Sequence, residues 1–402
     1  MTKYLSKRGL AMSVCAVAIA GGTAPALAGN DPYLMPADAI TVSPGGVDVR
    51  TGRFIVNEPA LMIGEGSPGQ IELKRTTAGP GEGRVSTNWH ILLKATQDCS
   101  NCSSNQVSVS VEGVSYNFQD SFGGAHYLNS TTGYATMTRT STSTAATYTL
   151  TTSGGTVVTF NPVPINGYHA VVGGAYPAQI VHPDGTTYTY TYTSGLLSKI
   201  TSNAGYALIF ENSSSTIKAC AINLTNTIAG TTCPSGAQSV TYGLTSNRVT
   251  SITDRMGNVW TITHTATSGG GDDEAFYKPG ASTPYLTNHW GYGPAHHNLI
   301  VLSQDFGDGR HFEYSYLSVT YFWEWKNNDE VDKDTDLGTG WTETDASGTA
   351  RTTSLSFDTL GMMPLEISAT PASVTDPLER TYTWHYDLVH TPPLRRDRRL
   401  RL

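Results

Sequence analysis

Acidic residues at alternating positions are the first candidates for chemistry in this sequence. The stretch 327–338 carries Asp332, Asp334 and Asp336 with the spacing of a calcium-binding loop, and Glu343 falls where a bidentate final ligand would stand. Leu337, however, occupies the position that needs a turn glycine. The sequence therefore leaves two alternatives, a calcium site and a solvated hairpin tip, and predicts no other cofactor.

A second group of possible metal ligands contains His289, His296 and His297, with the acidic run 272–274 upstream. Their spacing matches no metallohydrolase motif, and the Gly- and Pro-rich surroundings indicate an ordered loop. The sequence also lacks a Gly-x-Ser-x-Gly elbow, a phosphate-binding loop and a paired-carboxylate signature. We therefore predict that the protein is not an enzyme and that it has no catalytic residues, with an uncharacterised hydrolase as the weaker alternative.

Four cysteines follow the N-terminal leader: Cys99, Cys102, Cys220 and Cys233. An even number in an oxidising compartment favours disulfides. The local pairs Cys99–Cys102 and Cys220–Cys233 are preferred, since the first lies in a turn-rich stretch and the second closes a loop of hairpin length. The alternatives are a zinc site, for which both pairs would have to converge, and a redox motif, which would need a helix after Cys102.

Export is indicated by the first 28 residues. A positive start at Lys3, Lys7 and Arg8 precedes an apolar run over 10–22 and the small residues of 26–28. This order is typical of a signal peptide cleaved after Ala28. The apolar run is far shorter than the ~20 residues of a spanning helix. We expect a bacterial exported protein without a transmembrane segment in the mature chain, located in the periplasm, at the cell surface or outside the cell.

The composition predicts an all-β fold. Charged residues make up only 14% of the chain, whereas Thr, Ser, Gly and Tyr are abundant. Thr and Tyr suit half-buried strands, and Gly and Asn suit turns. The formal net charge of −8, together with the lack of a basic stripe before the last eight residues, argues against nucleic acid as a partner.

Internal repetition is the most informative feature of the sequence. Residues 184–192 and 308–316 both read Asp-Gly-x-x-aromatic-x-Tyr-x-Tyr, and 195–205 aligns without gaps on 247–257. Alternation at period two places the aromatic residues on one face of a strand. The predicted turn glycines are Gly185, Gly195, Gly205, Gly257 and Gly309. The predicted core aromatic residues are Tyr188, Tyr190, Tyr192, Trp260, Phe312, Tyr314, Tyr316, Tyr382, Trp384 and Tyr386.

These strings resemble the YD repeat of Rhs proteins, which reads roughly Tyr-Asp-x-x-Gly-Arg-Leu-x-x-Ile/Val-Thr-Asp-x-x-Gly before alternating aromatic residues. The matches within the repeats are Asn247-Arg248-Val249, Ile252-Thr253-Asp254, Gly257, Phe357-Asp358, Gly361, Val374-Thr375-Asp376-Pro377-Leu378 and Tyr386-Asp387. The stretches 47–54, 73–77 and 88–89 resemble the segment that precedes the repeats in this family. The copies depart from the pattern where Asp is missing after Tyr192 and Tyr242, and where Glu379 stands in place of Gly.

The resemblance implies a repeat-built antiparallel sheet of β-hairpins, shell-like and elongated. We expect a signal peptide over 1–28, an N-terminal β segment over 29–165, degenerate repeats over 166–387 and a basic, disordered tail over 388–402. Family members enclose a C-terminal effector, which is commonly released by an aspartyl self-cleavage motif, and neither is visible in this sequence. The Arg-rich tail suggests either a frameshifted or truncated reading frame or a basic segment that binds an acidic partner.

The function expected from the resemblance is an exported structural scaffold or carrier of the Rhs type, a truncated part of a larger polymorphic-toxin or cell-surface protein. Its partner would be the missing C-terminal part of such a protein. The alternative is a carbohydrate- or surface-binding module that uses exposed aromatic residues, such as those of 321–325, to bind cell-surface glycans. Burial of Tyr190, Tyr314 and Trp325 distinguishes the two, because a binding platform leaves its rings in water.

Overall fold

The computed structural model confirms the all-β prediction. It describes residues 42–383 apart from 50–51, 57–58, 79–84, 98–103, 112–113, 122–125, 130–134, 142–144, 167–168, 171–172, 227–229, 296–298, 327–328 and 359–369. No helix in these parts of the chain is long and apolar enough to cross a lipid bilayer.

The strands, in chain order, are β1 (Val47–Asp48), β2 (Arg53–Ile55), β3 (Pro59–Ile63), β4 (Ile71–Ala78), β5 (Ser86–Thr87), β6 (Leu93–Gln97), β7 (Ser104–Val111), β8 (Val114–Ser121), β9 (His126–Asn129), β10 (Thr136–Ser141), β11 (Ala145–Thr151), β12 (Val157–Phe160), β13 (Val163–Asn166), β14 (His169–Ala170), β15 (Gly173–Ala175), β16 (Pro177–Val181), β17 (Thr187–Thr193), β18 (Leu196–Ser202), β19 (Tyr206–Asn212), β20 (Thr216–Asn223), β21 (Gln238–Thr245), β22 (Arg248–Thr253), β23 (Val259–Ala266), β24 (Asp272–Tyr277), β25 (Leu286–Tyr292), β26 (Leu299–Phe306), β27 (His311–Lys326), β28 (Asp329–Thr344), β29 (Ala350–Asp358), β30 (Thr370–Thr375) and β31 (Thr381–Thr383).

The first large element is a closed ring of antiparallel strands. β6 to β11 pair in sequence, β11 pairs with β12, and β12 pairs with β16. The ring closes where β15, which directly precedes β16, pairs with β6. Tyr148, Leu150 and Phe160 belong to its buried residues. The ring joins strands from both sides of the predicted segment boundary at residue 165.

A long meander leaves this ring. From β16 to β31 each strand pairs antiparallel with the next strand in sequence. A β-bulge recurs in the hairpins β17–β18, β21–β22, β25–β26, β27–β28 and β29–β30. The repeats of the sequence therefore correspond to hairpins of one continuous sheet.

One five-residue turn recurs along this sheet. In each copy the N–H of the first residue donates to the carbonyl of the fifth, and the N–H of the fourth donates to the carbonyl of the first. The copies are 152–156, 182–186, 254–258, 306–310, 345–349 and 376–380. Their fourth residue has positive φ and is Gly in every copy except the last, where Glu379 has φ 61°. Gly195 and Gly205 also have positive φ, at turns of another kind.

Reciprocal substitutions at the fourth turn position should have opposite effects. An added Cβ at Gly257 meets no atom within 4 Å, so Gly257→Ala acts on the backbone alone, at a φ of +83°. Left-handed backbone costs a non-glycine residue ~1–2 kcal/mol. We expect Gly257→Ala to lower the free energy of unfolding by about 1 kcal/mol and Glu379→Gly to raise it by a similar amount, as measured by urea denaturation. Equal midpoints for both variants and the parent would refute this turn assignment.

The N-terminal segment, residues 42–93, covers one face of the meander. Val47, Val49 and Phe54 share a buried cluster with Phe312 and Trp290 of the sheet. Further along the segment, Leu61, Ile71, Leu73 and Trp89 share a second cluster with Tyr188, Tyr190 and the interior of the ring. The segment therefore fills the space that the aromatic face of the sheet would otherwise expose to water.

Candidate functional site

This packed face includes a row of three buried polar side chains on neighbouring strands. Glu274 of β24, Asn288 of β25 and Gln304 of β26 are cross-strand partners of one another in register. Glu274 is 3% exposed, and Asn288 and Gln304 are fully buried. Because buried polar groups are costly unless they are hydrogen-bonded, such a row has to be satisfied from within.

Direct hydrogen bonds run along the whole row. Asn288 Nδ2 donates to Glu274 Oε2 over 3.3 Å, and Gln304 Nε2 donates to Asn288 Oδ1 over 2.7 Å. The indole N–H of Trp290 also donates to Glu274 Oε2. At the other end, the Tyr314 hydroxyl donates to Gln304 Oε1 over 2.5 Å. The row is therefore one continuous hydrogen-bonded network across four strands.

The network ends on the N-terminal segment. Gln304 Nε2 donates to the carbonyl of Gly45 over 3.1 Å, and the hydroxyls of Tyr314 and Ser43 lie 2.8 Å apart. Ser43 Oγ in turn accepts the N–H of Val47. The polar row of the sheet thus holds the turn at residues 43–47 through one carbonyl group and one hydroxyl group, and what this arrangement does chemically is fix that turn of the N-terminal segment on the sheet.

The electrostatics of the row follow from its burial. Burial raises the pKa of Glu274 above its ordinary value, while the Arg75 guanidinium acts in the opposite direction. Arg75 comes from β4 of the N-terminal segment, is 6% exposed, and lies 5.9 Å from the ring of Phe276. Burial also raises the pKa of the Tyr314 hydroxyl, which keeps it protonated and able to donate. The N-terminal segment therefore supplies the positive charge that faces the buried carboxyl group.

On the opposite face of the same strands, an exposed chain of charges links His and Asp residues. His289 contacts Asp273 through Nδ1 at 2.8 Å and Asp305 through Nε2 at 2.9 Å. His311 Nδ1 contacts Asp305 at 2.7 Å. The sequence prediction of an ordered loop around His289 is wrong, because His289 lies in strand β25, where its cross-strand partners are Asp273 and Ser303. His296 and His297 lie outside the described residues.

The charge chain should make stability depend on pH. Burial alone would lower the pKa of His289, but the hydrogen bonds that its ring N–H groups donate to Asp305 and Asp273 outweigh this effect and raise that pKa. Burial would likewise raise the pKa of Asp305, and its bonds to His311 and His289 lower it. The contribution of His289 is therefore present below its unfolded pKa of 6.5 and is lost as the pH rises through the folded value. That of Asp305 is present above 3.8 and is lost as the pH falls.

We accordingly expect the contribution of this chain to the free energy of unfolding to be largest between about pH 4 and 6.5. Asp305→Asn should flatten the decline above pH 6.5 in urea denaturation curves collected from pH 4 to 9. Glu313→Gln, which removes an exposed carboxylate from the next strand, serves as the control and should leave the profile unchanged. A profile that is equally steep in parent and Asp305→Asn would contradict the assigned pairing.

The acidic stretch requires a correction. Asp332, Asp334, Asp336 and Glu343 lie in one extended strand, β28, and not in a loop or at a hairpin tip. At ~3.3 Å per residue, Asp336 and Glu343 are separated by roughly 20 Å, too far to share one ion. Asp336 is buried, and its Oδ1 accepts the N–H of Ala295. Among the described residues no group of three or more His, Cys, Asp or Glu side chains is arranged to hold a metal.

The predicted Cys220–Cys233 disulfide is confirmed. Cys220 is fully buried, together with Ala207, Ile209 and Ile222, on the face of the sheet away from the N-terminal segment. The N–H of Cys233 donates to Glu211 over 2.8 Å. A disulfide is typical of chains that fold in an oxidising compartment, in agreement with export. Cys99 and Cys102 lie outside the described residues.

The predicted core aromatic residues are mostly covered. Tyr188, Tyr190, Phe312 and Tyr314 are between 0 and 8% exposed, whereas Tyr192, Trp260 and Tyr316 are half-buried. The side chain of Tyr382 and all of Trp384 and Tyr386 lie outside the described part of the chain.

The sequence alone did not reveal the roles of Ser43, Asn288 and Gln304. The available signal was a polar residue flanked at i ± 2 by apolar ones, as in Leu286-x-Asn288-x-Trp290.

Comparison with known proteins adds little to these observations. No protein-family model and no curated protein matches the chain. Among solved structures, a porin-like protein from Bacteroides uniformis ATCC 8492 shares 13% sequence identity, over 63% of this chain and 96% of that one. The TM-score is 0.22, and a likeness at this level carries no argument about function.

Proposed function

We propose that the protein is an exported structural scaffold or carrier of the Rhs type, located in the periplasm, at the cell surface or in the medium. The observation that supports this proposal is the use of the repeats. Their aromatic face packs against the N-terminal segment of the same chain, as the edge-on contact between Trp89 and Tyr188 at 5.1 Å shows. The repeat residues therefore hold the meander and the N-terminal segment together in one body, as a structural scaffold requires.

Burial of the diagnostic rings favours the scaffold over a glycan-binding module. Tyr190 is 6% and Tyr314 is 5% exposed, so neither can stack on a sugar. Trp325, the third diagnostic ring, lies in β27, and its side chain is outside the described part of the structure. The glycan-binding alternative is supported by two other rings, Tyr176 and Tyr292, which are 42% and 44% exposed.

Limited proteolysis of the exported protein, read by mass spectrometry, tests the scaffold. A scaffold should yield one resistant body that contains both the N-terminal segment and the meander, because the two share buried clusters. Separation of residues 42–93 from the meander at low protease concentration would contradict the proposal. A glycan array distinguishes the alternative: binding that is lost in Tyr176→Ala or Tyr292→Ala would establish it.

A further inference from the structure

Strands β27 and β28 continue beyond their neighbours in the sheet and form a projecting ribbon. β26 pairs with β27 only over residues 311–313, and β29 pairs with β28 only over residues 340–344. Beyond these limits, residues 317–326 pair with residues 329–337 in one antiparallel hairpin, which we call the arm. At ~3.3 Å per residue the arm is roughly 30 Å long. Because a two-stranded ribbon is marginally stable by itself, the arm needs a partner.

The register of the arm separates its charges onto two faces. Residues at alternate positions of a strand lie on the same face, and so do direct cross-strand partners. One face, which we call the acidic face, carries Glu330, Asp332, Asp334 and Asp336 of β28, opposite Trp325, Phe322, Thr320 and Ser318 of β27. The charged residues of the other face cancel one another and are Lys326, Lys333, Glu324 and Asp329. The carboxylates of the acidic face, about 7 Å from one to the next, repel each other unless a cation joins them.

At the base of the arm, Asp336 shows this need for a cation directly. The residue is 9% exposed, and its Oδ1 accepts the N–H of Ala295 over 2.8 Å. Within the described part of the chain, no donor forms a hydrogen bond with Asp336 Oδ2. A buried carboxylate oxygen without a donor is costly, so the acidic face is expected to take a positively charged partner.

The path of the chain brings such a partner to the arm. Each strand from β27 to β31 is antiparallel to the next, so β31 runs in the same direction as β27. The chain therefore leaves β31 at the edge of the sheet from which the arm projects. β31 lies three strands beyond β28, which corresponds to roughly 14 Å. Twelve residues separate Thr383 from Arg395, and an extended chain of that length spans about 40 Å.

The Arg-rich tail complements the acidic face in charge. Within residues 395–401 only Asp397 is acidic, and the basic residues are Arg395, Arg396, Arg398, Arg399 and Arg401. The planar guanidinium group pairs with carboxylates through two parallel hydrogen bonds. The arm of a second copy would instead bring like charges together, which is destabilising. The tail of the same chain is therefore the occupant that charge and chain path both favour.

We propose that the acidic face of the arm is a docking site for the Arg-rich tail of the same chain. The arginines of residues 395–401 pair with the carboxylates of residues 330–336, and the docked tail is the partner that the two-stranded ribbon needs. Of the two interpretations of the tail, a basic segment that binds an acidic partner is then the correct one. The proposal does not depend on the scaffold role.

Carboxypeptidase digestion of the full-length protein tests the docking, because a docked tail is a poor substrate. The release of residues 400–402 is followed by intact-mass spectrometry at low salt. Asp332→Asn combined with Asp334→Asn should raise the release rate about tenfold, and about 0.5 M NaCl should raise that of the parent, since salt screens charge pairs. Glu65→Gln combined with Glu313→Gln removes two exposed carboxylates elsewhere and should leave the rate unchanged. Equal rates for the parent and the arm variant would overturn the proposal.

Variants of the tail provide a test that leaves the arm intact. Arg398→Gln combined with Arg399→Gln should release residues 400–402 as fast as the arm variant does, and a parental rate for this variant would contradict the docking. The slow rate of the parent should return when the charges are exchanged by Asp332→Arg, Asp334→Arg, Arg398→Asp and Arg399→Asp. A release rate that falls as the protein concentration rises would place the tail on a second copy and overturn its assignment to the same chain.

Discussion

Gly338→Ala is expected to lower the free energy of unfolding by about 3 kcal/mol. The added Cβ would enter the space of the Val49 carbonyl group, where strand β28 touches the N-terminal segment backbone to backbone. We call residues 43–49 and 52–56 of that segment the strap. The atoms that would collide belong to the main chain of both segments, so no side chain can rotate to relieve the clash. The strap would therefore have to move away from the sheet. Val47, Val49 and Phe54 would then lose part of their packing. The measurement is urea denaturation at a fixed pH.

The matched control is Gly154→Ala. Gly154 lacks positive φ, and the nearest atom to an added Cβ is Thr152 Oγ1 at 3.9 Å, an ordinary contact. We expect a change within about 0.5 kcal/mol for this variant. Similar losses for the two substitutions would show that the close approach at Gly338 does not determine stability.

Replacing both members of the disulfide should have an effect of similar size. The paired substitution Cys220→Ala and Cys233→Ala opens a loop with a sequence separation of 13 residues, which the chain-entropy model values at about 3 kcal/mol. Alanine is chosen because Cys220 is fully buried among Ala207, Ile209 and Ile222, where a serine hydroxyl would add a second cost. Denaturation midpoints with and without reductant measure the effect.

The reductant supplies the control for this experiment. The parent protein should fall to the stability of the double variant when reduced, and the variant itself should not respond. Thr231→Ala, an exposed position in the same loop, should be neutral. Two titratable thiols at Cys220 and Cys233 in the native, oxidised protein would contradict the prediction.

The sequence predicted best what depends on neighbouring residues. Alternation at period two assigned Tyr188, Tyr190, Phe312 and Tyr314 to one face, and the structure buries all four. The Cys220–Cys233 pair was predictable because a short separation makes a local bridge the simplest choice. The departure of Glu379 from glycine was visible in the repeat alignment and coincides with a positive φ.

The sequence did not predict the contacts between segments that are far apart in the chain. A period-two pattern tells which face of a strand is buried but not which segment buries it, so the strap and the pairing of β15 with β6 had no local signature. Asn288 and Gln304 are polar residues at core positions, which a pattern of apolar residues passes over. The alternating acids of β28 match a calcium loop by spacing, although the same alternation also suits one face of a strand.

The strap also has a consequence for how such a chain can change its length during evolution. Five turns of the meander are of one kind, and each strand pairs with the next strand in sequence, so duplication or loss of a unit is tolerated wherever only neighbours matter. The strap reaches fixed points on β26, β27 and β28, at Val301, Tyr314 and Gly338. An inserted hairpin between the ring and β26 would move those points away from it. The contacts of the strap therefore fix how many strands can lie between the ring and β26.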